Sequence, residues 1–365
     1  MSILLLALAQ SVPSTPPGPR ALDLAHDTAR QVTVDRQAGQ YLGHPTTVLL
    51  ADGRTILCVY PEGHGKGAIQ LKRSLDGGRT WSERQALPKS FESSLETPTI
   101  HRIADTQGKE RLVLFSGLHP CRMAHSEDQG RTWSELAPLG DWGGIVAMGS
   151  VVRMKDGSSS AFFHDDGRFF RASGKSSGSF TLYQTRSSDG GLTWSEPASV
   201  WSGSEIHLCE PGVVRSPEGN ELAMLLRENR RAKNSHVMFS RDEAATWSAP
   251  REVSSALTGD RHVAAYAPDG RLVVSFRDMA RESATQGDWV AWVGRYEDLA
   301  RSGDGQYRVR LMDNRDRWDC GYPGLEVLAD GTFVATSYGH WAEGEAPYIV
   351  SVHFRLSELD QLAAR

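Results

Sequence analysis

The sequence lacks the features that mark membrane, nucleic-acid-binding and disulfide-rich proteins. No stretch of the 365 residues approaches about 18 consecutive apolar positions, so we expect no transmembrane helix. Basic residues form no stripe and the net charge is only −5, which argues against nucleic acid as a partner. The four cysteines share no metal-type spacing: Cys58, Cys121, Cys209 and Cys320. We expect them to be small buried thiols, with a disulfide as the alternative if the protein is exported.

The first residues have a composition of their own. An apolar run over residues 3–9 ends in Ala7-Leu8-Ala9, and a proline-rich stretch follows it. This pattern resembles a secretory signal with a linker, and it predicts a leader over residues 1–20 and a secreted or periplasmic protein. The alternative is a cytoplasmic protein with a frayed N-terminus or a misplaced start codon.

One ten-residue motif occurs four times, as SLDGGRTWSE, SEDQGRTWSE, SSDGGLTWSE and SRDEAATWSA. Its aspartate falls at Asp76, Asp128, Asp189 and Asp242. Ser and Asp side chains can bond the backbone of a tight turn, glycine supplies a positive φ, and Trp can pack between neighbouring sheets. We therefore interpret the motif as a structural turn, because a catalytic group is not needed four times.

A second repeat runs alongside the first. A turn dipeptide between alternating apolar runs recurs about every 50 to 60 residues, at Gly53, Gly108, Gly157, Gly219, Gly270 and Gly331. Such dipeptides are the strongest short-range hairpin signal, and 36 glycines with 10 tryptophans also favour many short strands. The spacing fits a blade of four strands. We predict an all-β, six-bladed β-propeller of four-stranded antiparallel blades, one domain over residues 30–360.

Histidines and charged residues concentrate in the blade entries and in the second turn of each blade. Because strands run up and down, these segments share one face of the propeller, and converging polar groups there predict a ligand pocket. The candidate residues are His44, Glu62, His164, Asp165, Glu210, Arg227, His262, Arg277, Asp278, Tyr322 and His340.

Three Ser-x-Asp-x-Gly-x-Thr-Trp motifs and a fourth copy with Ala in place of Gly, on six repeats, resemble the sialidase (neuraminidase) superfamily, whose repeats are called Asp boxes. The resemblance covers nearly the whole chain and implies a Tyr nucleophile paired with a Glu, an Asp acid, and three arginines that hold a substrate carboxylate. The segment CEPGVVRSPEGNELAMLLREN resembles the one that carries the Glu and the second arginine, which implies Glu210 and Arg227. The segment CGYPGLEVLADGTFVATSY resembles the nucleophile segment, which implies Tyr322.

The chain departs from that pattern at four places. Gly43-His44-Pro45 stands where the family has the first arginine, and Gly339-His340 stands where the glutamate that braces it should follow. The third arginine is absent from GDWVAWV, and YPEGHGKG offers a glutamate and a histidine but no Asp acid. Without two arginines a bidentate clamp on a sialic carboxylate is not expected. A neutral or weakly acidic sugar is favoured, or one recognised by histidines and the remaining arginines.

We assign provisional roles on this basis. Tyr322, Glu210, His44 and His262 are the predicted catalytic groups. Glu210 takes the proton of a phenol that is otherwise a poor nucleophile, and each histidine is an acid, a base or a structural residue. The predicted substrate contacts are Arg227, Arg277, Asp278, Glu62, His164, Asp165 and His340. No cofactor is predicted, and no metal, since no histidine pair has a helical spacing or a Cys partner.

The sequence therefore predicts an exo-acting glycoside hydrolase of sialidase-like fold that cleaves a terminal sugar from a glycan. Two alternatives stay open. A polysaccharide lyase could use Tyr322 and His44 as base and acid on a uronic acid, with Arg227 and Arg277 neutralising its carboxylate. A non-catalytic carbohydrate-binding propeller is disfavoured, because binding alone needs fewer titratable groups.

Overall fold

A ring of six β-sheets forms the part of the chain that the computed structural model describes, residues 20–316 and 318–365. The first strand of each sheet contacts the first strand of the next, and that of the sixth sheet contacts that of the first. This closed ring confirms the predicted all-β, six-bladed propeller. The leader predicted over residues 1–20 lies outside the described residues, except that Arg20 begins the first strand.

The N-terminal segment and blades 1 to 3 follow in chain order. The segment holds β1 (Arg20–Asp23), the 3₁₀ helix Thr28–Arg30 and β2 (Gln31–Asp35). Blade 1 consists of β3 (Thr46–Leu49), β4 (Ile56–Pro61) and β5 (Ile69–Ser74), and the 3₁₀ helix Lys89–Ser93 follows it. Blade 2 consists of β6 (Pro98–Ala104), β7 (Glu110–Ser116), β8 (Arg122–Ser126) and β9 (Ala137–Pro138). Blade 3 consists of β10 (Ile145–Arg153), β11 (Ser159–Asp165), β12 (Phe180–Ser187) and β13 (Ala198–Gly203).

Blades 4 to 6 complete the ring. Blade 4 consists of β14 (Leu208–Arg215), β15 (Leu222–Glu228), β16 (His236–Ser240) and β17 (Arg251–Glu252), and the 3₁₀ helix Ser255–Leu257 follows it. Blade 5 consists of β18 (Gly259–Tyr266), β19 (Leu272–Asp278), β20 (Trp289–Gly294) and β21 (Tyr307–Met312), with α1 (Tyr296–Arg301) between the last two strands. Blade 6 consists of β22 (Gly321–Val327), β23 (Phe333–Gly339) and β24 (Tyr348–Phe354), and α2 (Leu356–Ala363) follows it.

The two N-terminal strands join the last two blades. Strand β2 pairs antiparallel with β24, with Gln31 opposite Val352, and becomes the fourth strand of blade 6. Strand β1 pairs in parallel with β21, with Arg20 opposite Tyr307, and adds a fifth strand to blade 5. The predicted four-stranded pattern holds for blades 2, 3, 4 and 6, whereas blade 1 has three strands in the described part of the chain. The chain's two ends thus share one blade and close the ring.

The second strand of each blade is buried along nearly its whole length. Every residue of β4, β11, β19 and β23 is buried. Neighbouring blades pack through these strands, as Leu57 and Val59 of β4 do in one cluster with Leu112 and Leu114 of β7. Full burial of one such side chain contributes about 1.5–3 kcal/mol, so the contacts between blades hold the ring together.

The repeated Asp motif is a turn closed by its own side chains. In the first copy the Ser74 hydroxyl donates to Asp76 at 2.8 Å and accepts the N–H of Gly78 at 2.8 Å. Asp76 in turn accepts the N–H of Thr80 at 2.9 Å and its hydroxyl at 2.7 Å. The same four bonds recur in the other three copies. The predicted structural role of the motif is confirmed.

The motif's tryptophan packs on the neighbouring blade, as predicted. Trp194 of the blade 3 motif stacks edge-on against Phe115 of blade 2, with ring centroids 5.5 Å apart. Trp247 of the blade 4 motif meets Phe162 of blade 3 in the same way at 5.7 Å. Each of these two motifs therefore closes a turn within one blade and fills the gap to the preceding blade.

The structure also answers the sequence-based expectations about the cysteines and about a transmembrane helix. All four cysteines are buried with free thiols, as expected for the simpler of the two predicted states. No helix within residues 20–316 and 318–365 is long and apolar enough to cross a membrane.

Candidate active site

A cavity of about 530 Å³ opens on the face where blade entries and second turns meet. Its wall comes from the entries of blades 1, 2, 3, 4 and 6 and from the second turns of blades 1, 3 and 4. Five of the predicted site residues border it: His44, His164, Glu210, Arg227 and Tyr322. Small-ligand sites have volumes of about 300–1,000 Å³, so this cavity has the size of a binding pocket.

A repeated backbone feature brings these side chains together. At the entries of blades 1, 3, 4, 5 and 6 a residue other than glycine has a left-handed φ: His44 (54°), Val146 (50°), Glu210 (52°), Arg261 (55°) and Tyr322 (55°). In blades 3 to 6 the register with the second strand shifts at this point. Such a φ costs about 1–3 kcal/mol and persists where the surrounding structure enforces it, which is common at functional sites. In blades 1, 4 and 6 this residue is one of the polar side chains that border the cavity.

Tyr322, Glu210 and Arg227 form a hydrogen-bonded triplet in the cavity wall. The Tyr322 hydroxyl donates to Oε1 of Glu210 at 2.5 Å. The same carboxylate oxygen accepts from Nη1 of Arg227 at 2.7 Å, and Nη1 lies 3.4 Å from the Tyr322 oxygen. One carboxylate is therefore placed to receive the phenolic proton, and one guanidinium is placed beside both groups.

The electrostatics of the triplet set its protonation state. Burial alone would raise the pKa of Glu210, but the Arg227 guanidinium outweighs it, so the pKa lies below its ordinary value. Burial, together with the Glu210 carboxylate, raises the pKa of Tyr322 well above that of an ordinary phenol. At neutral pH the pair is a neutral phenol and a carboxylate, the starting state for proton transfer from Tyr322 to Glu210.

The second oxygen of Glu210, Oε2, is buried and has no hydrogen-bond partner among the described residues. The Glu210 backbone N–H donates to Nδ1 of His164 at 3.3 Å, which ties the strained residue to the end of β11. An unsatisfied buried carboxylate oxygen is costly unless a ligand or water donates to it.

His44 lies on the other side of Tyr322. Their ring centroids are 4.7 Å apart, and Nε2 of His44 lies 3.1 Å from the Tyr338 hydroxyl. Nδ1 of His44 has no hydrogen-bond partner among the described residues, although the residue is only 4% exposed and borders the cavity. Burial lowers the pKa of His44 well below its ordinary value, so the imidazole is neutral at physiological pH.

Asp319 organises the groups behind His44. It accepts the hydroxyls of Tyr41 at 2.7 Å and Tyr338 at 3.1 Å, and Nε2 of His340 lies 2.9 Å from its second oxygen. Nδ1 of His64 lies 3.3 Å from the first oxygen. Burial would raise the pKa of Asp319, but these bonds lower it below its ordinary value. His340, predicted as a substrate contact, is held in this network.

Two more predicted contacts, Arg227 and Arg277, meet at a buried carboxylate. Asp260 of β18 is fully buried, and Nε of Arg277 donates to it at 2.9 Å. Nε of Arg227 lies 3.2 Å from the other Asp260 oxygen, and Nη2 of Arg231 donates at 2.7 Å. Arg277 also stands over the ring of Tyr322, with Cζ 5.9 Å from the centroid. The cluster therefore underlies the Tyr322 side of the cavity.

The structure places four other predicted residues away from the cavity wall. His262 is buried against Phe276, and its Nε2 lies 3.0 Å from the backbone oxygen of Leu257. Glu62 accepts from Arg84 at 2.7 Å. The remaining two carboxylates, Asp165 and Asp278, accept hydrogen bonds within the second turns of blades 3 and 5. Asp165 and Asp278 therefore stabilise the loops in which they lie.

Three acidic residues in this region were not singled out from the sequence. Glu96 borders the cavity at the entry of blade 2, Asp260 holds the arginines, and Asp319 holds the histidines and tyrosines. All three stand in the blade entries that the sequence analysis had placed on this face. Their position in the blade entries was the one available signal, and nothing local distinguished them from surface carboxylates. Within the described residues no group of three or more His, Cys, Asp or Glu is arranged to hold a metal ion.

Comparisons with known proteins agree with this fold. The family model described as a BNR repeat-like domain matches residues 25–198 and 103–335. A solved structure of a protein of unknown function from Dyadobacter fermentans has a TM-score of 0.69 at 16% identity, and the match covers 89% of this chain and 97% of that chain. No curated protein matches the sequence.

Two sialidases are also among the similar structures. A Hadza microbial sialidase has a TM-score of 0.61 at 18% identity, and the match covers 87% of this chain and 66% of that one. The intramolecular trans-sialidase from Ruminococcus gnavus, solved with oseltamivir carboxylate, has a TM-score of 0.60 at 14% identity, and the match covers 87% of this chain and 95% of that one. Identities this low establish a shared fold and leave the activity to the site.

The fold and its Asp motifs define a sialidase-like propeller. The chain belongs to the BNR repeat-like domain family, whose model spans most of its length.

Proposed function

We propose that the protein is an exo-acting glycoside hydrolase that releases a terminal sugar from a glycan, with Tyr322 as nucleophile and Glu210 as its base. The observation that carries the proposal is the 2.5 Å hydrogen bond from the Tyr322 hydroxyl to Glu210 in the wall of a polar cavity. The fold shared with two sialidases supports the choice of glycans as substrates, although it does not determine the reaction.

The first step forms a bond between the Tyr322 oxygen and the anomeric carbon while the glycosidic bond breaks. A phenol with a raised pKa attacks poorly unless its proton leaves at the same time, and Oε1 of Glu210 is in place to take it. Arg227, 3.4 Å from the Tyr322 oxygen, stabilises the negative charge that develops there. Water then attacks the same anomeric carbon and gives a proton to the carboxylate that had protonated the departing oxygen. Tyr322 leaves, and Glu210 returns the phenolic proton to it.

The departing glycosidic oxygen needs a proton, and Glu96 is the group best suited to give it. Burial, with the nearby Glu210 carboxylate, raises the pKa of Glu96, whereas the pKa of Glu210 is lowered. Two carboxyl groups on one cavity with pKa values shifted in opposite directions are typical of an acid and a base. His44 is a weaker donor because its imidazole is neutral. Its Nδ1 is buried and has no hydrogen-bond partner among the described residues.

A polysaccharide lyase is the second candidate. It is favoured by the 4.7 Å between the rings of Tyr322 and His44, which would act as base and acid on a uronic acid. The two reactions differ in their use of water, since a hydrolase adds water to the released sugar and a lyase leaves an unsaturated sugar.

Digestion of a mixed glycan panel in ¹⁸O-labelled water, followed by mass spectrometry, tests the proposal. The panel contains glycans that end in neutral sugars, uronic acids and sialic acids. We expect one monosaccharide to be released with the label at its anomeric carbon. An unlabelled unsaturated product would identify a lyase. The absence of any product over the panel would contradict the proposed hydrolase and leave carbohydrate binding.

A further inference from the structure

Three arginines from blades 4 and 5 converge on one internal carboxylate. Arg227 is the last residue but one of β15, and Arg231 lies in the turn that follows this strand. Arg277 is the last residue but one of β19. All three reach Asp260, whose side chain is 0% exposed. Arg231 grips it with Nη1 and Nη2, one to each oxygen, and Arg277 grips one oxygen with Nε at 2.9 Å and Nη2 at 2.5 Å.

The donors of Arg277 are used within the protein, whereas Nε of Arg227 lies 3.2 Å from Asp260 and has no hydrogen-bond partner among the described residues. Nη1 of Arg277 donates to the backbone oxygens of Trp318 and Cys320, so all three of its nitrogens are engaged. Nη1 of Arg227 donates to Glu210. A ligand carboxylate needs two parallel N–H groups of one guanidinium, or charged donors from several side chains. Here Asp260 already holds that position, and it is below the surface of the cavity.

Three cationic side chains border the cavity, Lys66, Arg168 and Arg227, together with the carboxyl groups of Glu96 and Glu210. Of the three arginines that reach Asp260, only Arg227 borders it. The carboxyl groups of Glu96 and Glu210 face the same space, and Oε2 of Glu210 has no donor among the residues that the structure describes. Lys66 at the border is exposed, and Nε of Arg168 is held by Asp166 at 2.9 Å. A carboxylate bound here would lie beside two carboxyl groups, whereas a sugar hydroxyl would donate to Glu210.

We infer that the ligand of this pocket is an uncharged sugar, because Asp260 occupies the arginine cluster where a ligand carboxylate would otherwise bind. The inference rests on the proposed function in taking the ligand to be the terminal sugar of a glycan. One part of the inference does not depend on catalytic activity: because the arginines are paired with Asp260, they should not bind an external carboxylate. Asp260 is then a specificity-determining residue that acts through Arg227, Arg231 and Arg277.

The first test uses formate, the smallest carboxylate, and the wild-type protein. The melting temperature is measured over a formate titration and over a chloride titration at matched ionic strength. A cluster closed by Asp260 gives the same melting curve in both salts. A saturable increase with formate alone would show that the arginines accept an external carboxylate, and it would overturn the inference.

The second test removes the internal carboxylate. In Asp260→Ala three arginines lose their shared partner, so we expect a lower melting temperature that formate raises saturably and chloride does not. In Asp260→Asn the amide fills the same space, so we expect little response to formate. If Asp260→Ala is isolated only unfolded, refolding in formate against chloride gives the same comparison. An Asp260→Ala protein that is insensitive to formate would contradict the inference.

The third test compares sugars that differ only at C6. Methyl galactoside and methyl glucoside are titrated against methyl galacturonide and methyl glucuronide by calorimetry, with the Tyr322→Phe protein as a non-hydrolysing form. We expect the neutral member of any pair that binds to bind at least about tenfold more tightly. Preference for the acidic member would overturn the inference. Where neither member binds, the formate titration decides. A protein that cleaves no glycan would contradict the proposed function while leaving the formate result unchanged, so the two failures are distinguishable.

Discussion

The backbone N–H of Glu210 donates a hydrogen bond to Nδ1 of His164, 3.3 Å away. A ring nitrogen can accept this bond only when it carries no proton. His164 is 3% exposed, and burial lowers its pKa from 6.5 to about 4, which keeps it neutral. Because Glu210 has a left-handed φ of 52°, the bond fixes a strained residue that bears the proposed base. His164 is therefore a positioning residue for Glu210.

This relationship predicts how stability depends on pH. The unfolded state binds a proton at His164 near its ordinary pKa of 6.5, and the folded state only near 4. The contribution of His164 to stability is therefore full above pH 6.5 and falls as the pH decreases toward 4, by about 2 kcal/mol between pH 7 and pH 5. Urea denaturation at both pH values should show this loss in the wild type and a smaller one in His164→Phe. His26→Gln, at an exposed histidine, is the control and should behave as the wild type.

Removal of the Tyr322 hydroxyl should separate catalysis from binding. We expect Tyr322→Phe to lower kcat by on the order of 10³-fold or more, because the nucleophile is lost, and to leave ligand affinity nearly unchanged. Steady-state kinetics and calorimetry on the same preparation measure both. Tyr266→Phe is the matched control, since its hydroxyl donates to the Arg215 backbone oxygen away from the cavity. Full activity in Tyr322→Phe would show that Tyr322 is not the nucleophile.

Much of the fold follows from short-range signals in the sequence. Turn chemistry at the Asp motif and at Gly53 and its counterparts is local, and its period set the number of blades. The pairing of β2 with β24 joins residues more than 300 positions apart, such as Gln31 and Val352, and no local pattern indicates it. The same holds for β1 in blade 5. Local physics therefore predicted the blades, and only the structure shows how the ring closes.

The candidate site was predictable where residues occupy the same position in successive blades. His44, Glu210 and Tyr322 each stand at the entry residue with a left-handed φ, so their convergence follows from the repeat. In blade 5 that position is held by Arg261, and the next residue, His262, packs against the core instead. A difference of one position along a strand reverses the direction of a side chain. Sequence reasoning that located the entry to within one residue could not distinguish the two.

The Asp motifs should contribute to stability and not to activity. Asp189→Ala removes an acceptor for the N–H groups of Leu192 and Thr193 and for the Thr193 hydroxyl. We expect a loss of about 1–3 kcal/mol in the free energy of unfolding, with kcat/KM unchanged because the motif lies on the face opposite the cavity. Asp141→Ala, at a side chain that is 92% exposed, should change the stability by less than about 0.5 kcal/mol. A loss of activity in folded Asp189→Ala would contradict a purely structural role.

The proton donor can be identified by the leaving group. If Glu96 protonates the departing oxygen, Glu96→Gln should slow the hydrolysis of natural alkyl-linked glycans by about 10²–10⁴-fold but that of dinitrophenyl glycosides by less than about tenfold, because dinitrophenolate leaves without a proton. Since burial raises the pKa of Glu96, the wild-type rate should decrease at high pH as this group loses its proton, and the variant should lose that decrease. Glu92→Gln, at an exposed glutamate in the same segment, is the control. Equal slowing of both substrate classes would assign Glu96 a structural role and return the choice of acid to His44.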